Sequence, residues 1–418
     1  MACIVIASGH PLTTNPRMLK EAWALGMAGH DVHVLSSLLD PAAGAWERAL
    51  CAGAPWRWWP MVDLERGAWQ DRVKWFWNRL RVRVAFWCHA RFGWDVAHQL
   101  GHFIPEMERL ACRLRPDLVI VHLEPGLELG YRLLRRGLRV AMDLEDWYSE
   151  DLLHSDRARR PLRRLRSHES YLMSQGAHVT TTSHALAREL SRVYACPQPR
   201  VIPNVFPWAD RETLDGRILD RQDLSVPSLT WFSQTIGPAR GLEILAAALA
   251  QVTEPLEIHL RGTSRPGYID AWLQQVPESW RHRIHVHSQV PQEELLSRLV
   301  EHDMGFAGEV SNCLNRELTI SNKILEYLRA GLAVVASDTR GQQEVAERAP
   351  GAVALYAQTD PGDLARVLNG LLADPERRRA SRAAALEAAR TTYCWERVAP
   401  DLVDLVADTL DKEWPSKG

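Results

Sequence analysis

Short apolar runs alternate with helix-forming stretches along most of this chain of 418 residues. Ile4 to Ala7 is one such run, a helical stretch begins at Pro16 behind a capping Asn15, and Val32 to Leu35 is the next run. Strands that alternate with helices are typical of a parallel α/β sheet. The alternation therefore restricts the chain to the α/β class.

The alternation occurs in two series, separated by a polar stretch around residues 211–223. Two Rossmann-like domains facing a central cleft are the simplest fold with this pattern. We predict domains at 1–207 and 208–398, and a C-terminal helix at 399–418 that packs back on the first domain. The predicted strands are 4–7, 32–35, 118–121, 140–143, 179–182, 201–202, 229–232, 258–260, 284–286, 304–307, 333–336 and 353–355, and residues 376–412 are predicted to be helical throughout.

Composition excludes several classes of protein. Apolar residues make up 46%, charged residues 24%, and the formal net charge is −2, so no global field favours nucleic acid as a partner. The seven cysteines are scattered without CxxC spacing, which argues against a disulfide framework or a zinc site. The sequence has neither a signal-peptide pattern nor 18 consecutive apolar residues. We predict a cytoplasmic protein.

The densest chemical pattern lies between Glu309 and Glu344. Glu309 follows a predicted strand, and ligands bind at the carboxyl edge of open α/β sheets. Thr319 and Ser321-Asn322-Lys323 precede or begin a helix, whose free N–H groups and dipole predict a diphosphate site together with Lys323. Glu326, about one turn later, suits the two hydroxyls of a ribose. The alternative is that Lys323 and Glu326 form only a pair on the helix surface.

The segment NKILEYLRAGLAVVASDTRG, from Asn322 to Gly341, resembles the donor-binding segment of glycosyltransferase family 4. The family usually carries Glu-x7-Glu, and the resemblance implies that the second glutamate, here Glu326, binds the nucleotide ribose. The first glutamate falls on Leu318. Glu309 and Glu317 are its nearest substitutes, and we favour Glu309 because the end of a strand is better fixed than the middle of a loop.

The segment WFSQTIGPARGLEILAAAL, which begins at Trp231, resembles the glycine loop of the same family. Arg240 takes the position of a lysine that the family directs at the diphosphate, and arginine binds phosphate in two-pronged fashion. Gly237 and Gly241 leave room for close approach. Gln234 replaces a family arginine, which removes one positive charge. The alternative is an ordinary turn.

The segment SGHPLTTNPRMLKEAW, from Ser8, resembles the start of the family's acceptor domain. Its Asn15-Pro16-Arg17 core and the loop that contains His10 are predicted to lie on the acceptor side. His10 is otherwise a bystander on that loop.

Two further strand ends carry titratable groups. His122 and Glu124 lie at the C-terminal end of one strand, and Asp143, Glu145 and Asp146 lie at that of the next. The family often has Asp-x-His-Asp here, with the histidine at the donor sugar, and Glu145 replaces that histidine. We predict Glu145, His122 and Glu309 as catalytic residues, with Asp146 on the acceptor side. Glu145 is either a base toward the acceptor hydroxyl or a binder of a cationic or polyol acceptor. The alternative is an acidic cluster capping a helix.

The resemblance implies the GT-B fold and transfer of a sugar, with retention of configuration, from a nucleotide-diphosphate sugar to an acceptor glycan or lipid-linked cell-envelope precursor. It implies no metal and no cofactor, since helix dipole and cations hold the diphosphate, and we find no convincing DxD motif. Two alternatives remain: a GT-B sugar-nucleotide epimerase, and a degenerate subunit that binds the nucleotide sugar without turnover.

A Trp-rich segment occupies residues 44–95, and nine of the 17 tryptophans lie between Trp46 and Trp94. Apolar residues at helical spacing are interleaved there with arginines, and a second run, RARRPLRRLR, begins at Arg157. Such segments suit an anionic membrane surface or an acceptor pyrophosphate. The alternative is a buried packing helix with a solvated charged face. The spaced residues are Trp69, Val73, Phe76, Trp77, Leu80, Val84 and Trp87.

Overall fold

The computed structural model describes residues 1–153, 157 and 159–414. The chain divides into two compact units. The first comprises Met1–Thr182, Leu186–Ile202 and Ala399–Gly418, and the second comprises Ser183–Ala185 and Pro203–Val398.

The described part of the first unit is built on a parallel sheet of seven strands in the order β3-β2-β1-β4-β5-β6-β7. Its central strands are buried along their whole length, as expected when helices cover both faces. The strands are β1 (Cys3–Ala7), β2 (Asp31–Leu38), β3 (Trp56–Asp63), β4 (Leu118–His122), β5 (Val140–Leu144), β6 (Val179–Thr181) and β7 (Arg200–Val201).

The second unit has a parallel sheet of six described strands in the order β10-β9-β8-β11-β12-β13. Its core joins residues of this sheet with the helices that cover it, including Trp231, Trp272 and Tyr356. The strands are β8 (Ser228–Ile236), β9 (Glu257–Ser264), β10 (Ile284–His287), β11 (Met304–Ala307), β12 (Ala333–Ser337) and β13 (Val353–Tyr356). The predicted α/β class and its two Rossmann-like sheets are confirmed.

Helices connect the strands of both sheets. In chain order they are α1 (Pro16–Met27), α2 (Gly44–Cys51), α3 (Trp69–Phe92), α4 (Ile104–Leu114), α5 (Leu123–Arg135), α6 (Leu162–Gln175), α7 (His184–Tyr194), α8 (Leu242–Ala248), α9 (Tyr268–Gln275), α10 (Glu278–Arg281), α11 (Gln292–Leu299), α12 (Leu314–Leu318), α13 (Asn322–Ala330), α14 (Arg340–Arg348), α15 (Pro361–Leu372), α16 (Pro375–Thr391) and α17 (Trp395–Asp411). Among the described residues, no helix has the length and apolar content needed to cross a bilayer.

The sequence reading missed β3 and misread the C-terminal helix. β3 contains Pro60, which is tolerated because, among the described strands, β3 is at the edge of the sheet and pairs with β2 alone. The predicted continuous helix over 376–412 is wrong, because the chain leaves helical geometry after Thr391. At this break the Trp395 N–H donates to the carbonyl of Phe206 at 3.0 Å, outside the helix.

The end of α17 belongs to the first unit and is held there by hydrogen bonds. The Arg139 guanidinium donates to the carbonyls of Leu410 at 2.9 Å and Lys412 at 2.6 Å, and so caps the helix C-terminus. The Trp414 indole donates to the carbonyl of Gly137 at 3.0 Å.

Candidate active site

Glu309 lies two residues beyond β11, at the carboxyl edge of the second sheet. Its Oε1 is 2.6 Å from Lys323 Nζ and accepts the Ser321 hydroxyl at 3.0 Å. The Ser337 hydroxyl holds its backbone carbonyl at 2.7 Å. Burial opposes ionisation, but the Lys323 ammonium and the hydrogen bonds lower the pKa of Glu309. A fixed carboxylate–ammonium pair thus stands at the ligand edge.

The first turn of α13 lies beside this pair. The Ser321 hydroxyl caps the helix by accepting the Lys323 N–H at 3.3 Å. Asn322 is exposed, and its Oδ1 accepts from Asn204 at 3.2 Å. The Thr319 hydroxyl donates to the carbonyl of Asn315 at 3.0 Å. Backbone N–H groups of a helix start, a cation and polar side chains therefore gather where the sequence predicted an anion site.

Glu326 is only 1% exposed. The Arg329 guanidinium holds its Oε2 from two nitrogens, at 3.1 and 2.6 Å, and Gln292 donates to its Oε1 at 3.2 Å. The interpretation of Lys323 and Glu326 as a surface pair is wrong, because Glu326 is buried. Arg329 was not singled out from the sequence, although its i,i+3 spacing from Glu326 was visible.

Glu317, the other substitute for the missing glutamate, stabilises the fold through hydrogen bonds to neighbouring elements. Its Oε1 accepts the N–H of Arg340, the first residue of α14, at 3.1 Å, and Gln358 donates to its Oε2 at 3.2 Å. Leu318 is fully buried. Of the two glutamates, Glu309 is the one beside Lys323.

The glycine loop after β8 packs tightly against the end of β11. Gly241 has φ +85°, and a Cβ there would lie 1.8 Å from the carbonyl oxygen of Gly308. Ala239 has φ +59°, a strained value for a residue with a side chain. Arg316 donates to the Ala239 carbonyl at 3.2 Å, which helps to hold that conformation. The ordinary-turn interpretation does not account for this close approach.

Two further arginines accompany Arg240 at this loop. Arg240 is half-buried, and Gly237 faces the Arg265 side chain, which would be 3.2 Å from a Cβ at that position. Arg316 comes from α12. Arg265 and Arg316 lie far from Gln234 in the sequence. The sequence therefore indicated a glycine loop that lacks one positive charge of the family, without showing that these two arginines lie beside it. The position of Arg265 just after β9 was the signal that could have identified it.

In the first unit, a buried network links α1 with β4 and β5. Arg17 donates to both oxygens of Asp143, at 2.5 and 2.8 Å, and to the carbonyl of Ile202 at 2.7 Å. Thr180 donates to Asp143 Oδ1 at 2.6 Å. Burial opposes the ionisation of Asp143, yet the charge of Arg17 lowers the pKa of Asp143 well below its usual range.

His122 belongs to the same network. Its Nε2 is 2.6 Å from Glu21 Oε2, and its Nδ1 is 3.2 Å from Asp143 Oδ2. Burial opposes the charge, but the carboxylates of Glu21 and Asp143 raise the pKa of His122 to about 10. Both ring nitrogens lie within ion-pair distance of a carboxylate, and His122 is 1% exposed. We correct its predicted catalytic role to a positioning role.

The predicted acceptor-side residues divide between interior and surface. Asn15 and Arg17 are 2% and 5% exposed, and the Asn15 Oδ1 caps α1 by accepting the Met18 N–H at 3.0 Å. Both hold α1 in place, which corrects their predicted contact with the acceptor. His10 is exposed and Asp146 half-buried.

Glu145 follows β5 directly and is half-buried. Burial and the negative charge of Asp143 raise its pKa to about 7. The described residues that follow, 145–153, form bends and turns, so the acidic cluster does not cap a helix. A carboxyl that titrates near neutrality at a strand end is suited to proton transfer.

Among the described residues, one group could hold a metal ion: Cys3, Asp31 and His33. They lie at the amino edge of the first sheet, where β1 and β2 begin. The Trp59 indole donates to His33 Nδ1 at 2.9 Å. The ring proton of neutral His33 is then on Nε2, which lies 3.3 Å from Asp31. This tautomer presents no free lone pair to a cation.

A model described as Glycosyltransferase Family 4 matches residues 17–206, and one described as Glycosyl transferases group 1 matches residues 227–374. The chain belongs to glycosyltransferase family 4. A search of curated proteins finds no match.

Solved structures resemble this family 4 chain over nearly its whole length. Sucrose-phosphate synthase (tll1590) from Thermosynechococcus elongatus is 17% identical, with a TM-score of 0.70 over 98% of this chain and 99% of that one. Anabaena Alr3699/HepE in complex with UDP is 16% identical, with a TM-score of 0.68 over 98% and 99%. A UDP-N-acetylglucosamine 2-epimerase is 11% identical, with a TM-score of 0.57 over 100% and 99%. The predicted GT-B fold is confirmed.

Gly241 provides a test of the tight loop. We expect Gly241→Ala to lower the free energy of unfolding by roughly 3 kcal/mol or more, because positive φ and the contact with Gly308 act together. The matched control is Gly267→Ala. Gly267 also precedes a helix, with φ +72°, but faces open space, so its cost should stay near 1 kcal/mol. Urea denaturation measures both, and equal costs would contradict the close-approach account.

The charged state of His122 predicts a pH-dependent stability. The pKa of His122 is raised from 6.5 to about 10. Its contribution to the free energy of unfolding is therefore complete below pH 6.5 and is lost as pH rises through 10. The free energy of unfolding of the wild type should exceed that of His122→Gln by about 3 kcal/mol near pH 7. At about pH 9.5 the difference in free energy of unfolding should be clearly smaller.

His178→Gln is the control for this measurement. Burial lowers the pKa of His178 to about 4, so its effect on the free energy of unfolding should not change over the same interval. A His122 difference that stays constant with pH would show that its imidazole is neutral.

Proposed function

We propose that this family 4 enzyme transfers a hexosyl group from a nucleotide-diphosphate sugar to an acceptor, with retention of configuration and without a metal. The observation that carries the donor half is the Glu309–Lys323 pair, 2.6 Å apart, beside the start of α13. Such a helix terminus with a lysine at a sheet edge is an anion site.

Cations and backbone N–H groups would bind the diphosphate. Arg240 and Lys323 supply positive charge, Ser321, Asn322 and Thr319 supply polar groups at the helix start, and Gly237 lets the phosphates approach the loop. Arg265 and Arg316 add positive charge that is otherwise missing because Gln234 replaces the family's arginine. This arrangement stabilises the negative charge that develops on the leaving diphosphate, the task that a metal performs in other enzymes.

Glu326 would accept hydrogen bonds from the two ribose hydroxyls. Arg329 donates to Oε2 of the carboxylate, and Gln292 donates to Oε1 at 3.2 Å. A ribose hydroxyl can replace that amide without disturbing Arg329. Arg329 would therefore hold Glu326 in the orientation for nucleotide binding before the nucleotide arrives.

Glu309 would contact the hydroxyls of the donor sugar. Binding of the diphosphate at Lys323 draws the ammonium away from the carboxylate and leaves its oxygens to accept from the sugar. For retention, the acceptor hydroxyl attacks from the face that the phosphate leaves. The bond between the anomeric carbon and the phosphate breaks, and the departing phosphate orients the hydroxyl, whose proton passes to Glu145. The two-carboxylate scheme of glycoside hydrolases is not used.

On the acceptor side, we propose Glu145 as the proton acceptor, with Asp146 and His10 as binding groups. The buried network of Arg17, Asp143 and His122 keeps β5 in place beneath it. The acceptor is a glycan or a lipid-linked precursor of the cell envelope. We infer a cytoplasmic reaction at the inner face of the membrane.

Two other functions remain testable. A sugar-nucleotide epimerase is motivated by the structural likeness to a UDP-N-acetylglucosamine 2-epimerase, at a lower TM-score than sucrose-phosphate synthase. A binding subunit without turnover is motivated by Leu318 and Glu145 at two family positions. Incubation with a UDP-sugar and no acceptor separates them: an epimerised nucleotide sugar, slow hydrolysis to UDP, or no reaction despite binding.

Arg240 tests the donor site. We expect Arg240→Ala to weaken binding of UDP, measured by calorimetry, by about 10- to 100-fold, because a charge-assisted contact is lost. Arg379→Ala on α16 is the control, since Arg379 is exposed and pairs only locally with Glu376. A panel of UDP, GDP, ADP and dTDP identifies the base. Unchanged affinity of Arg240→Ala for the preferred nucleotide would remove Arg240 from the site.

Glu145 tests the acceptor side. With a pKa of about 7, the carboxylate is formed as pH rises, so kcat/KM should increase up to about pH 7 and then level off. Glu145→Gln should lose about 100-fold or more and that limb of the pH profile. Glu124→Gln, at the neighbouring strand end and paired with Arg160, should retain both. A Glu145→Gln enzyme with the wild-type profile would contradict the assignment.

A further inference from the structure

Helix α3 exposes a continuous apolar stripe, which we call the α3 ridge. Its members recur every three or four residues, so they share one face of the helix. These side chains are 71%, 43%, 61%, 38%, 49% and 60% exposed, in chain order. The α3 ridge consists of Trp69, Val73, Phe76, Leu80, Val84 and Trp87.

The opposite face of α3 is docked on the first unit. Asn78 and Ala85 are 2% exposed, and the Asn78 Oδ1 accepts the Phe103 N–H at 3.1 Å. The Trp75 ring lies 6.0 Å from Phe103 and 4.7 Å from His102. The helix therefore has its packing partner already, and the interpretation of the spaced apolar residues as a buried packing face is wrong.

Aromatic rings continue the ridge beyond the helix. The Trp87 and Phe92 ring centroids are 5.6 Å apart in a T-shaped pair, and Phe92 stacks on Trp94 at 4.9 Å. Arg163 donates to the Gly93 carbonyl at 2.9 Å. The fold thus brings part of the second basic run, distant in sequence, next to this exposed aromatic cluster.

Exposed arginines flank the ridge. At about 100° per residue, Arg72, Arg79 and Arg83 lie along one side of the stripe and Arg81 along the other, and all four are exposed. Residues 69–94 contain six basic residues and one acidic residue, in a chain whose net charge is −2. The positive charge is therefore local to this surface.

We propose that the α3 ridge docks the protein on an anionic lipid bilayer, with the helix lying in the interface plane. Tryptophan and phenylalanine enter the boundary between headgroups and acyl chains, and arginines at the sides bind lipid phosphates. An exposed apolar stripe of this size otherwise promotes association. This proposal concerns binding alone and does not depend on sugar transfer.

Charge complementarity favours the bilayer over a second copy of the chain. In a symmetric dimer each surface meets itself. Packing two α3 ridges together would place the flanking arginines of one copy against those of the other, with one acidic residue, Asp71, in each stretch to compensate. Anionic headgroups instead offer negative charge on both sides of the stripe.

Vesicle co-sedimentation of the full chain tests the proposal. We expect binding to vesicles of phosphatidylcholine mixed with phosphatidylglycerol, weak binding to phosphatidylcholine alone, and release by high salt. Arg79→Gln with Arg83→Gln should lower the partition coefficient by about 25-fold, since each basic residue contributes about five-fold at such a surface. Arg113→Gln with Arg188→Gln, exposed on other helices of the first unit, should leave it unchanged.

The apolar part is tested by Trp69→Ser with Trp87→Ser. We expect a loss of about ten-fold or more in the same assay, with unaltered thermal unfolding because neither ring is packed in the core. Trp23→Ser with Trp46→Ser, which are 39% and 47% exposed on α1 and α2, are the matched controls.

Three results would overturn the proposal. They are no binding to the anionic vesicles, equal losses in the ridge and control variants, and a concentration-dependent dimer in ultracentrifugation that Phe76→Ser disrupts. UDP binding is measured on the same samples. A protein that binds UDP but not vesicles would refute the ridge proposal and leave the transferase proposal standing.

Discussion

A parallel strand covered on both faces has no polar surface along its length, and this constraint shapes both units. β4, β5, β11 and β12 are buried from end to end. Charged side chains of these four strands therefore occur only at or next to the carboxyl ends, as His122 of β4 and Asp143 of β5 do. Glu309 stands beyond β11 and Glu145 beyond β5, and the hydrophobic sheets beneath them fix their backbones more firmly than a free loop would.

The charges at these strand ends follow two different rules. Arg17 and His122 carry two positive charges against the two carboxylates of Asp143 and Glu21, so the buried group is balanced and shielded from water. A buried group of this kind is costly to break, because removing one member leaves its partner uncompensated. In the described part of the chain, Glu145 has no ion pair of that kind, and burial and the charge of Asp143 raise its pKa to about 7. The balanced charges stabilise the fold, and the carboxyl of Glu145 is the one that we propose as the proton acceptor.

The sequence was most informative where structure is local. The strand at 304–307, the helix at 322–330 and the Asn15 cap lie where they were predicted, because apolar periodicity and capping act over a few residues. The partners of each charged side chain were not accessible in the same way. Arg17 and His122 match or neighbour family motifs, yet tertiary contacts with Asp143 bury them. Arg265 and Arg316 reach the glycine loop from separate elements, and β3 was hidden by a proline that only an edge strand accepts.

The Asn78 amide has a consequence for how α3 can change. Through its bond to the Phe103 N–H, Asn78 fixes the rotation of the helix about its own axis, so the outer face cannot turn inward to hide its rings. The six side chains of the ridge then carry little of the folding free energy. The surroundings of this surface, more than the packing of the domain, therefore determine which residues suit these six positions. Substitutions on this face can adapt the protein to different surroundings without changes to the core beneath it.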